Sequence, residues 1–270
     1  MRADVIRIDD HPNGVDRVRL ITFDRPEARN AFDTEMYGAV ADALAEVAER
    51  DDLTVAVLTG EGSAYSSGQD LGEMGRLGSA DRSEQRESGE YGFTKFIGTI
   101  EAFPKPIVAA VNGVAVGVGT TMLPYCDLVL ASSAARFRLQ FASLGVVPEA
   151  GSSFTLPIVM GWQAAAHVLF TAEWLSATEA VACGLVWKVV EPVALLDEAL
   201  AVAGKIAKMP VVSLVETKRL LQATRLDVAR AARAREEAVF SRLTGAPANR
   251  EAIAAFLEKR EADFTNLAGQ

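Results

Sequence analysis

Short apolar runs separated by helical segments constrain the fold of this chain more than any other feature of its sequence. Each run is rich in valine, leucine or isoleucine, which predicts a strand. Runs that are apolar almost throughout are typical of parallel strands covered on both faces. The alternation therefore predicts an α/β core with largely parallel pairing. The predicted strands cover residues 18–23, 53–60, 105–113, 127–132 and 185–190, and the first predicted helix covers residues 34–50.

The character of the chain changes after about residue 192, where strand-like runs give way to amphipathic helical patterns. The sequence thus predicts an α/β core over residues 1–192 and a helical region over residues 193–270. The polar, Gly- and Ser-containing segment 76–92 is predicted to be a solvated loop, and a mobile lid is the alternative. The predicted C-terminal helices cover residues 194–209, 211–224, 227–243 and 249–264.

Charge and apolar patterning exclude several classes of function. A net charge of −9 argues against a general nucleic-acid partner, which would usually meet a basic face. No apolar run approaches the ~20 residues needed to cross a bilayer, so we expect no membrane partner. The first residues are charged and show no secretory signal. Together with only two cysteines, this predicts a cytoplasmic protein without a disulfide framework.

Histidine content limits the chemistry further. His11 and His167 are the only histidines, and neither lies in a recognisable nucleophile motif. The sequence also contains no CxxC or HExxH pattern, so no metal site is predicted.

Glu149 is an isolated acid in an apolar segment. It lies in "LGVVPEAGSSF", residues 144–154, and the nearest other charged residues are Arg138 and Glu173. Pro148 and Gly151 favour a solvated turn. A catalytic base whose proton affinity is raised by desolvation is the alternative. This segment alone leaves both interpretations open.

Two glycine-containing segments, residues 62–74 and 112–122, follow predicted strands. Glycine turns between a strand and a helix direct free backbone N–H groups outward, and a helix N-terminus adds partial positive charge. Two such turns facing one point would form an oxyanion hole, whereas simple tight turning is the alternative. The segments contain no GK[ST], and the second lacks the third glycine of a dinucleotide-binding GxGxxG motif.

In combination, these motifs resemble the crotonase superfamily, also called the enoyl-CoA hydratase/isomerase family. The resemblance implies a spiral of β-β-α turns with a C-terminal helical trimerisation region, a homotrimer or hexamer, and an acyl-CoA thioester as substrate. It implies no separate cofactor, because coenzyme A is part of the substrate. The resembling stretches run in family order over almost the whole chain: "RPEARNAFD" (25–33), "LTGEGSAYSSGQDL" (58–71), "KPIVAAVNGVAVGVGTTM" (105–122), "CDLVLAS" (126–132), "LGVVPEAGSS" (144–153), "ATEAVACGLVWKVV" (177–190) and "REAIAAFLEKREADF" (250–264).

The resemblance also assigns binding roles. The two oxyanion N–H groups fall on Gln69, after Gly68, and on Val118, after Gly117. Asp70 is expected to cap the following turn. The further substrate-binding residues implied are Arg25 and Ala28 towards the nucleotide, Ser66, Ser67 and Leu71 beside the first donor, and Phe256 and Lys259 towards the adenine and 3′-phosphate across a subunit boundary. For the last two, a core phenylalanine and a solvated lysine are the alternative.

The sequence departs from the commonest reaction of the family. Its hydratases hold a water between two glutamates, and this chain has Thr121 and Phe141 at those positions. Glu149 instead matches the single catalytic glutamate of the Δ3,Δ2-enoyl-CoA isomerase branch. The resemblance therefore implies that the chain shifts a double bond from C3–C4 to C2–C3 of an enoyl-CoA. A hydratase-like or other CoA thioester reaction remains an alternative, as does an inactive binding protein with this fold.

Overall fold

The computed structural model describes residues 5–70, 73, 82–265 and 267. Within them, ten strands form two sheets. The strands are β1 Ile6–Asp10, β2 Val18–Phe23, β3 Val55–Gly60, β4 Ala64–Ser66, β5 Ile107–Val111, β6 Val114–Val116, β7 Leu128–Ser132, β8 Arg136–Arg138, β9 Trp174–Ser176 and β10 Lys188–Val190. The strands β2, β3, β5 and β7 coincide with the predicted apolar runs, whereas β1, with the sequence IRIDD, was not predicted.

The larger sheet has six strands in the order β1-β2-β3-β5-β7-β10, and the smaller has the order β4-β6-β8-β9. Among the strand pairs of the described residues, only β1–β2 and β8–β9 are antiparallel, which confirms the predicted parallel core. The successive pairs β3–β4, β5–β6 and β7–β8 each give one strand to either sheet. A helix follows each pair, so the chain advances as a spiral of β-β-α turns. The predicted fold class is thereby confirmed.

Helices cover the sheets. On one side, α1 packs against α2, and on the other α7 places Ala199, Leu200 and Ala203 over the six-stranded sheet. The division of the chain at residue 192 stays a prediction. The helices are α1 Thr34–Glu49, α2 Arg82–Ala102, α3 Val118–Thr121, α4 Ser152–Met160, α5 Trp162–Thr171, α6 Ala177–Ala182, α7 Leu195–Ala207, α8 Val211–Ala223, α9 Leu226–Leu243 and α10 Pro247–Glu258.

Two sequence predictions are corrected. The segment 76–92 is helical from Arg82 onward, because α2 continues to Ala102 and buries Phe96, Ile97 and Ile100 in the core shared with α1. Residues 76–81 lie outside the described residues. The last helix ends at Glu258 and not at residue 264.

The early end of α10 has a local cause. Lys259 adopts the left-handed conformation, with φ 56°, and the next residue, Arg260, turns back to pair with Glu251. Among the residues that the structure describes, no helix is long and apolar enough to cross a bilayer.

Candidate active site

The first glycine turn leaves β4 and closes against the strand that leads into the second turn. Gly68 has φ +93°, and a Cβ there would lie 2.9 Å from the carbonyl oxygen of Val116, so only glycine fits. The Ser66 side chain is buried, and its hydroxyl oxygen accepts a hydrogen bond from the Gly68 N–H at 3.1 Å. These contacts therefore constrain the backbone immediately before Gln69.

The second glycine turn joins β6 to the short helix α3. Gly117 has φ 52° and ψ −121°, a conformation that a side chain disfavours, and Val118 is the first residue of the helix. A Cβ on Gly117 would lie 3.9 Å from the Gly68 Cα, so the two turns are in contact. Among the described residues, no protein group accepts the N–H of Gln69 or of Val118. Two unpaired donors in touching turns could bind one developing oxyanion.

Residues 25–33 clamp the first turn from outside. The Ser67 hydroxyl donates to the Ala28 carbonyl at 3.1 Å. The Phe32 N–H donates to the Gly68 carbonyl at 2.8 Å, and the Asp70 N–H donates to the Phe32 carbonyl at 2.9 Å. The predicted substrate-binding residues of these two segments are thus brought together, although their roles stay predictions.

Arg25 lies in a compact ion cluster and not free in solvent. Its guanidinium contacts Asp33 at 3.1 Å and Asp70 at 3.0 Å, and it donates to the Ala31 carbonyl at 2.6 Å. We call Arg25, Asp33 and Asp70 the Arg25 cluster. Asp70 also accepts the Glu73 N–H at 3.1 Å, in agreement with the predicted cap. Leu71, predicted to bind substrate, lies outside the described residues.

Glu149 opens a strained turn in an apolar setting. The next two residues, Ala150 and Gly151, have φ 58° and 71°, and we call residues 149–151 the Glu149 turn. The Glu149 residue is half-buried, and the adjacent Ala150 belongs to the main apolar cluster of the core, as do Val118 and Phe141. Desolvation raises the pKa of Glu149 to about 8.

Neighbouring groups modify the proton affinity of Glu149 less than burial does. The Thr121 hydroxyl donates to its carboxylate at 3.3 Å and lowers the pKa, whereas the charge of Glu236 raises the pKa. Thr121 is the last residue of α3, so this contact links the carboxyl to the helix that begins at Val118.

Tyr37 links Gln69 to the surroundings of Glu149. The Tyr37 hydroxyl donates to the Gln69 side-chain oxygen at 2.7 Å. Burial first, and the charge of Glu149 second, raise the pKa of Tyr37 well above its usual value. Glu149 and the two glycine turns therefore surround one site.

The two positions at which hydratases of the family carry glutamates are filled differently here. Neither threonine nor phenylalanine has a carboxyl group, so neither position supplies an acid to the site. Thr121 is fully buried and Phe141 is 6 % exposed.

Phe256 and Lys259 lie at the C-terminal end of α10. Phe256 is 61 % exposed, so it is not a core residue of this chain. The Lys259 ammonium has no ion pair among the described residues, and neither side chain has a hydrogen bond to the glycine turns. The structure of one chain leaves their predicted role across a subunit boundary untested.

Sequence reasoning assigned no role to Tyr125 or Glu236, and it considered Thr121 only as the absence of a glutamate. The Tyr125 hydroxyl donates to the Ala150 carbonyl at 2.6 Å. The Glu236 carboxylate accepts the N–H groups of Gly151 at 2.6 Å and Ser153 at 2.7 Å. A signal for Glu236 existed, because it lies in helical phase with the buried Ala229 and Ala232.

Comparisons with known proteins agree with this geometry. The sequence profile described as "Enoyl-CoA hydratase/isomerase" matches residues 14–267. The 1,2-epoxyphenylacetyl-CoA isomerase of Escherichia coli (strain K12) is 32 % identical over 256 residues, which cover 92 % of this chain and 95 % of that protein. Human enoyl-CoA delta isomerase 2 is 37 % identical over 207 residues, which cover 77 % of this chain but 52 % of the human protein. Proteins named as hydratases occur at similar identity.

Solved structures agree as well. The crystal structure of an enoyl-CoA hydratase/isomerase from Pseudoalteromonas atlantica T6c superposes with a TM-score of 0.88 at 34 % identity. The match covers 97 % of this chain and all of the other. Because the relatives carry both isomerase and hydratase names, they identify the class of thioester chemistry and leave the individual reaction open.

Proposed function

This chain belongs to the enoyl-CoA hydratase/isomerase family, and on that premise we propose that it shifts a double bond from C3–C4 to C2–C3 of an enoyl-CoA. One observation carries the proposal. The carboxyl of Glu149 faces a hydroxyl, that of Thr121, where a hydratase would present a second carboxylate. A double-bond shift needs one base, whereas the usual hydration mechanism needs a second positioned acid.

In this mechanism the thioester oxygen accepts the N–H groups of Gln69 and Val118. Both are backbone donors without another protein acceptor among the described residues, so no existing bond has to break. Negative charge develops on that oxygen as the enolate forms. Removal of one such donor typically lowers a rate by ~10² to 10³.

Glu149 performs both proton transfers. Its carboxylate removes a proton from C2, and the electron pair of that C–H bond moves into a C1–C2 double bond as the thioester oxygen becomes an enolate. The dienolate then takes the same proton at C4. The C1–O double bond returns and the remaining double bond stands between C2 and C3, so no co-reactant is consumed. The raised pKa makes Glu149 a stronger base than a solvated glutamate.

Recognition of the CoA moiety is proposed to involve two parts of the chain. Ser66 and Ser67 lie at the first glycine turn, where they could follow the pantetheine arm, and Arg25 and Ala28 of the adjoining segment would lie towards the nucleotide. Phe256 and Lys259 would reach the adenine and the 3′-phosphate of a CoA bound to a neighbouring subunit. Both side chains are exposed, and the Lys259 ammonium has no ion pair within the described part of the chain, which supports this role.

We propose a homotrimer or a hexamer for the assembly. Large apolar side chains on α5 and α8 are exposed in the single chain, including Trp162, Phe170, Val212 and Leu220. Burial of such faces between subunits is the usual explanation for them. Light scattering at micromolar concentration tests this, and the mass of one subunit would contradict it.

Glu149→Gln tests the proposed reaction most directly. The substitution keeps the shape of the side chain but removes the base, so conversion of a 3-enoyl-CoA to the conjugated product should fall by at least ~10². Affinity for CoA itself should be nearly unchanged, because the carboxyl meets the acyl carbons. Glu173→Gln, at an exposed glutamate, is the matched control and should keep full activity.

The same assay distinguishes the alternatives. Water addition to a 2-enoyl-CoA by the wild type, without conversion of a 3-enoyl-CoA, would favour a hydratase-like reaction. Full isomerase activity in Glu149→Gln would make Glu149 a turn residue only.

A further inference from the structure

The Glu149 turn is held from two sides by residues that the proposed mechanism does not use. Tyr125, from the 3₁₀ turn Leu123–Tyr125, donates its hydroxyl to the Ala150 carbonyl at 2.6 Å. Glu236, from α9, accepts the N–H groups of Gly151 at 2.6 Å and Ser153 at 2.7 Å. The first residue held in this way, Ala150, directly follows Glu149, the proposed base.

The turn needs such support because its backbone is not in a relaxed conformation. Ala150 has φ 58°, which non-glycine residues rarely adopt, and Gly151 continues in the same region with φ 71°. Such conformations persist only where the surroundings impose them. A change at Ala150 would rotate the peptide group that precedes it and displace the Glu149 side chain.

The burial of Glu236 is itself unusual. Its side chain is 6 % exposed and has no ion pair among the described residues, whereas its neighbour Glu237 is exposed and contacts Arg233. A buried carboxylate without a cation is costly unless strong hydrogen bonds compensate. Here two backbone N–H groups at the N-terminus of α4 supply them, with the helix dipole in the favourable direction.

The helix that carries Glu236 is anchored independently of this contact. Arg230 and Arg233, also on α9, pair with the buried Glu101 of α2 at 3.7 and 3.3 Å. Ala229 and Ala232 pack in the interior on the same face. Glu236 is thus held on a rigid element, as a residue that orients another group should be.

We propose that Glu236, assisted by Tyr125, is a positioning group that holds the Glu149 carboxyl in place for both proton transfers. The inference rests on the proposed function of Glu149. It predicts that damage to this support lowers turnover more than binding, because CoA is bound elsewhere and only the base moves. A displacement of about 1 Å can lower a rate by ~10².

Glu236 also affects Glu149 through its charge. The groups that act on the Glu149 carboxyl from the surrounding elements are Thr121 of α3, Glu236 of α9 and Tyr37 of α1. The negative charge of Glu236 raises the pKa of Glu149, so its removal should lower that pKa. The acidic limb of the pH–rate profile should then move to lower pH.

Glu236→Gln is the principal test, with Glu237→Gln as the matched control on the exposed face of the same helix. We expect Glu236→Gln to lower kcat for a 3-enoyl-CoA by at least ~10-fold, with KM changed by less than ~3-fold and the acidic limb moved to lower pH. Tyr125→Phe should lower kcat by ~3-fold with the limb unmoved, because it removes one neutral hydrogen bond. Glu237→Gln should match the wild type.

A merely structural role predicts a different pattern. Lower thermal stability with an unchanged kcat and an unchanged acidic limb in folded Glu236→Gln would overturn the proposal. If Glu236→Gln does not fold, Tyr125→Phe decides, and an unchanged kcat there would also overturn it.

A readout without substrate separates this proposal from the proposed reaction. The difference in thermal stability between wild type and Glu149→Gln changes with pH as Glu149 ionises, which reports the pKa of that carboxyl. In the Glu236→Gln background this change should occur at lower pH. The shift would support the coupling even if the wild type fails to convert 3-enoyl-CoA, and its absence would overturn the coupling whatever the reaction is.

Discussion

The Arg25 cluster and the Glu149 turn lie beside the same pair of glycine turns. They differ in whether a carboxylate is paired with a cation. In the cluster, Arg25 contacts two carboxylates, so each buried charge has a partner. At the turn, Glu149 has a hydroxyl partner in Thr121, and Glu236, whose charge raises the pKa of Glu149, has the same sign.

The Arg25 cluster therefore has a structural role, whereas the Glu149 turn is suited to proton transfer. Paired charges fix the segment 25–33 against the first glycine turn, where rigidity is useful and proton transfer is not. An unpaired carboxyl among apolar groups keeps a high proton affinity, which a base needs for a weakly acidic C–H bond. Position along the sequence does not reveal the difference, because both sites combine an acid with a turn.

The pH dependence of the wild type is the strongest test of the contrast. Because burial raises the pKa of Glu149 to about 8, the carboxylate that acts as base is scarce at pH 6 and half formed at pH 8. We expect kcat/KM for a 3-enoyl-CoA to rise by about 50-fold between these values. A limb near the ordinary glutamate pKa of about 4.3 would mean that Glu149 is as well solvated as a surface acid.

Arg25→Met would remove the pairing that defines the Arg25 cluster. Asp33 and Asp70 would lose the guanidinium that contacts both of them, and we expect the free energy of unfolding to fall by about 2 kcal/mol. Urea denaturation at pH 7 measures this. Arg29→Met, at an exposed arginine nearby, should change it by less than about 0.5 kcal/mol. Equal effects of the two substitutions would remove the distinction between the regions.

Lys259→Ala extends the comparison to an ammonium that has no ion-pair partner among the residues the structure describes. If the ammonium contacts the 3′-phosphate, CoA affinity should fall by ~5- to 10-fold, and the loss should shrink as salt rises. Isothermal titration with CoA and with dephospho-CoA measures this. Equal losses for both ligands would show that the 3′-phosphate is not the group contacted.

Thr121→Val would make the surroundings of Glu149 still less polar. The hydroxyl lowers the pKa of Glu149, so its loss should raise that pKa and lower kcat/KM at pH 7 by ~3-fold, with little change above the limb. Thr120→Val is the matched control, because the Thr120 hydroxyl donates to the Ala115 carbonyl and does not contact Glu149. A limb that moves equally in both variants would point to distortion of α3.

Much of the fold follows from local pattern. The run over 53–60 produced β3 because parallel strands covered on both faces tolerate no polar alternation. The helix α2 was missed over 82–92 because its polar N-terminal half gives no periodic signal, while burial of Phe96 and Ile100 against α1 stabilises its C-terminal half. The three-residue strands of the smaller sheet are too short for periodicity to mark them.

The site was predictable in part. Isolation of Glu149 among apolar neighbours indicated a raised proton affinity, and the raised pKa of that carboxyl agrees. Glu236 could not be linked to Glu149 from sequence, because 87 positions separate them and only tertiary packing brings α9 to the start of α4. The helical phase of Glu236 indicated that it is buried but did not indicate which residues it contacts.

The two donors at residues 69 and 118 belong to the main chain, so these positions can accept mutations during evolution without loss of the donors. A mutation in either codon changes the side chain but leaves the N–H in place unless it introduces proline. Lineages could therefore exchange Gln69 or Val118 and alter the lining of the acyl site while the pair of donors is transmitted intact. The glycines before them have no such freedom, since any side chain at residue 68 would meet the Val116 carbonyl.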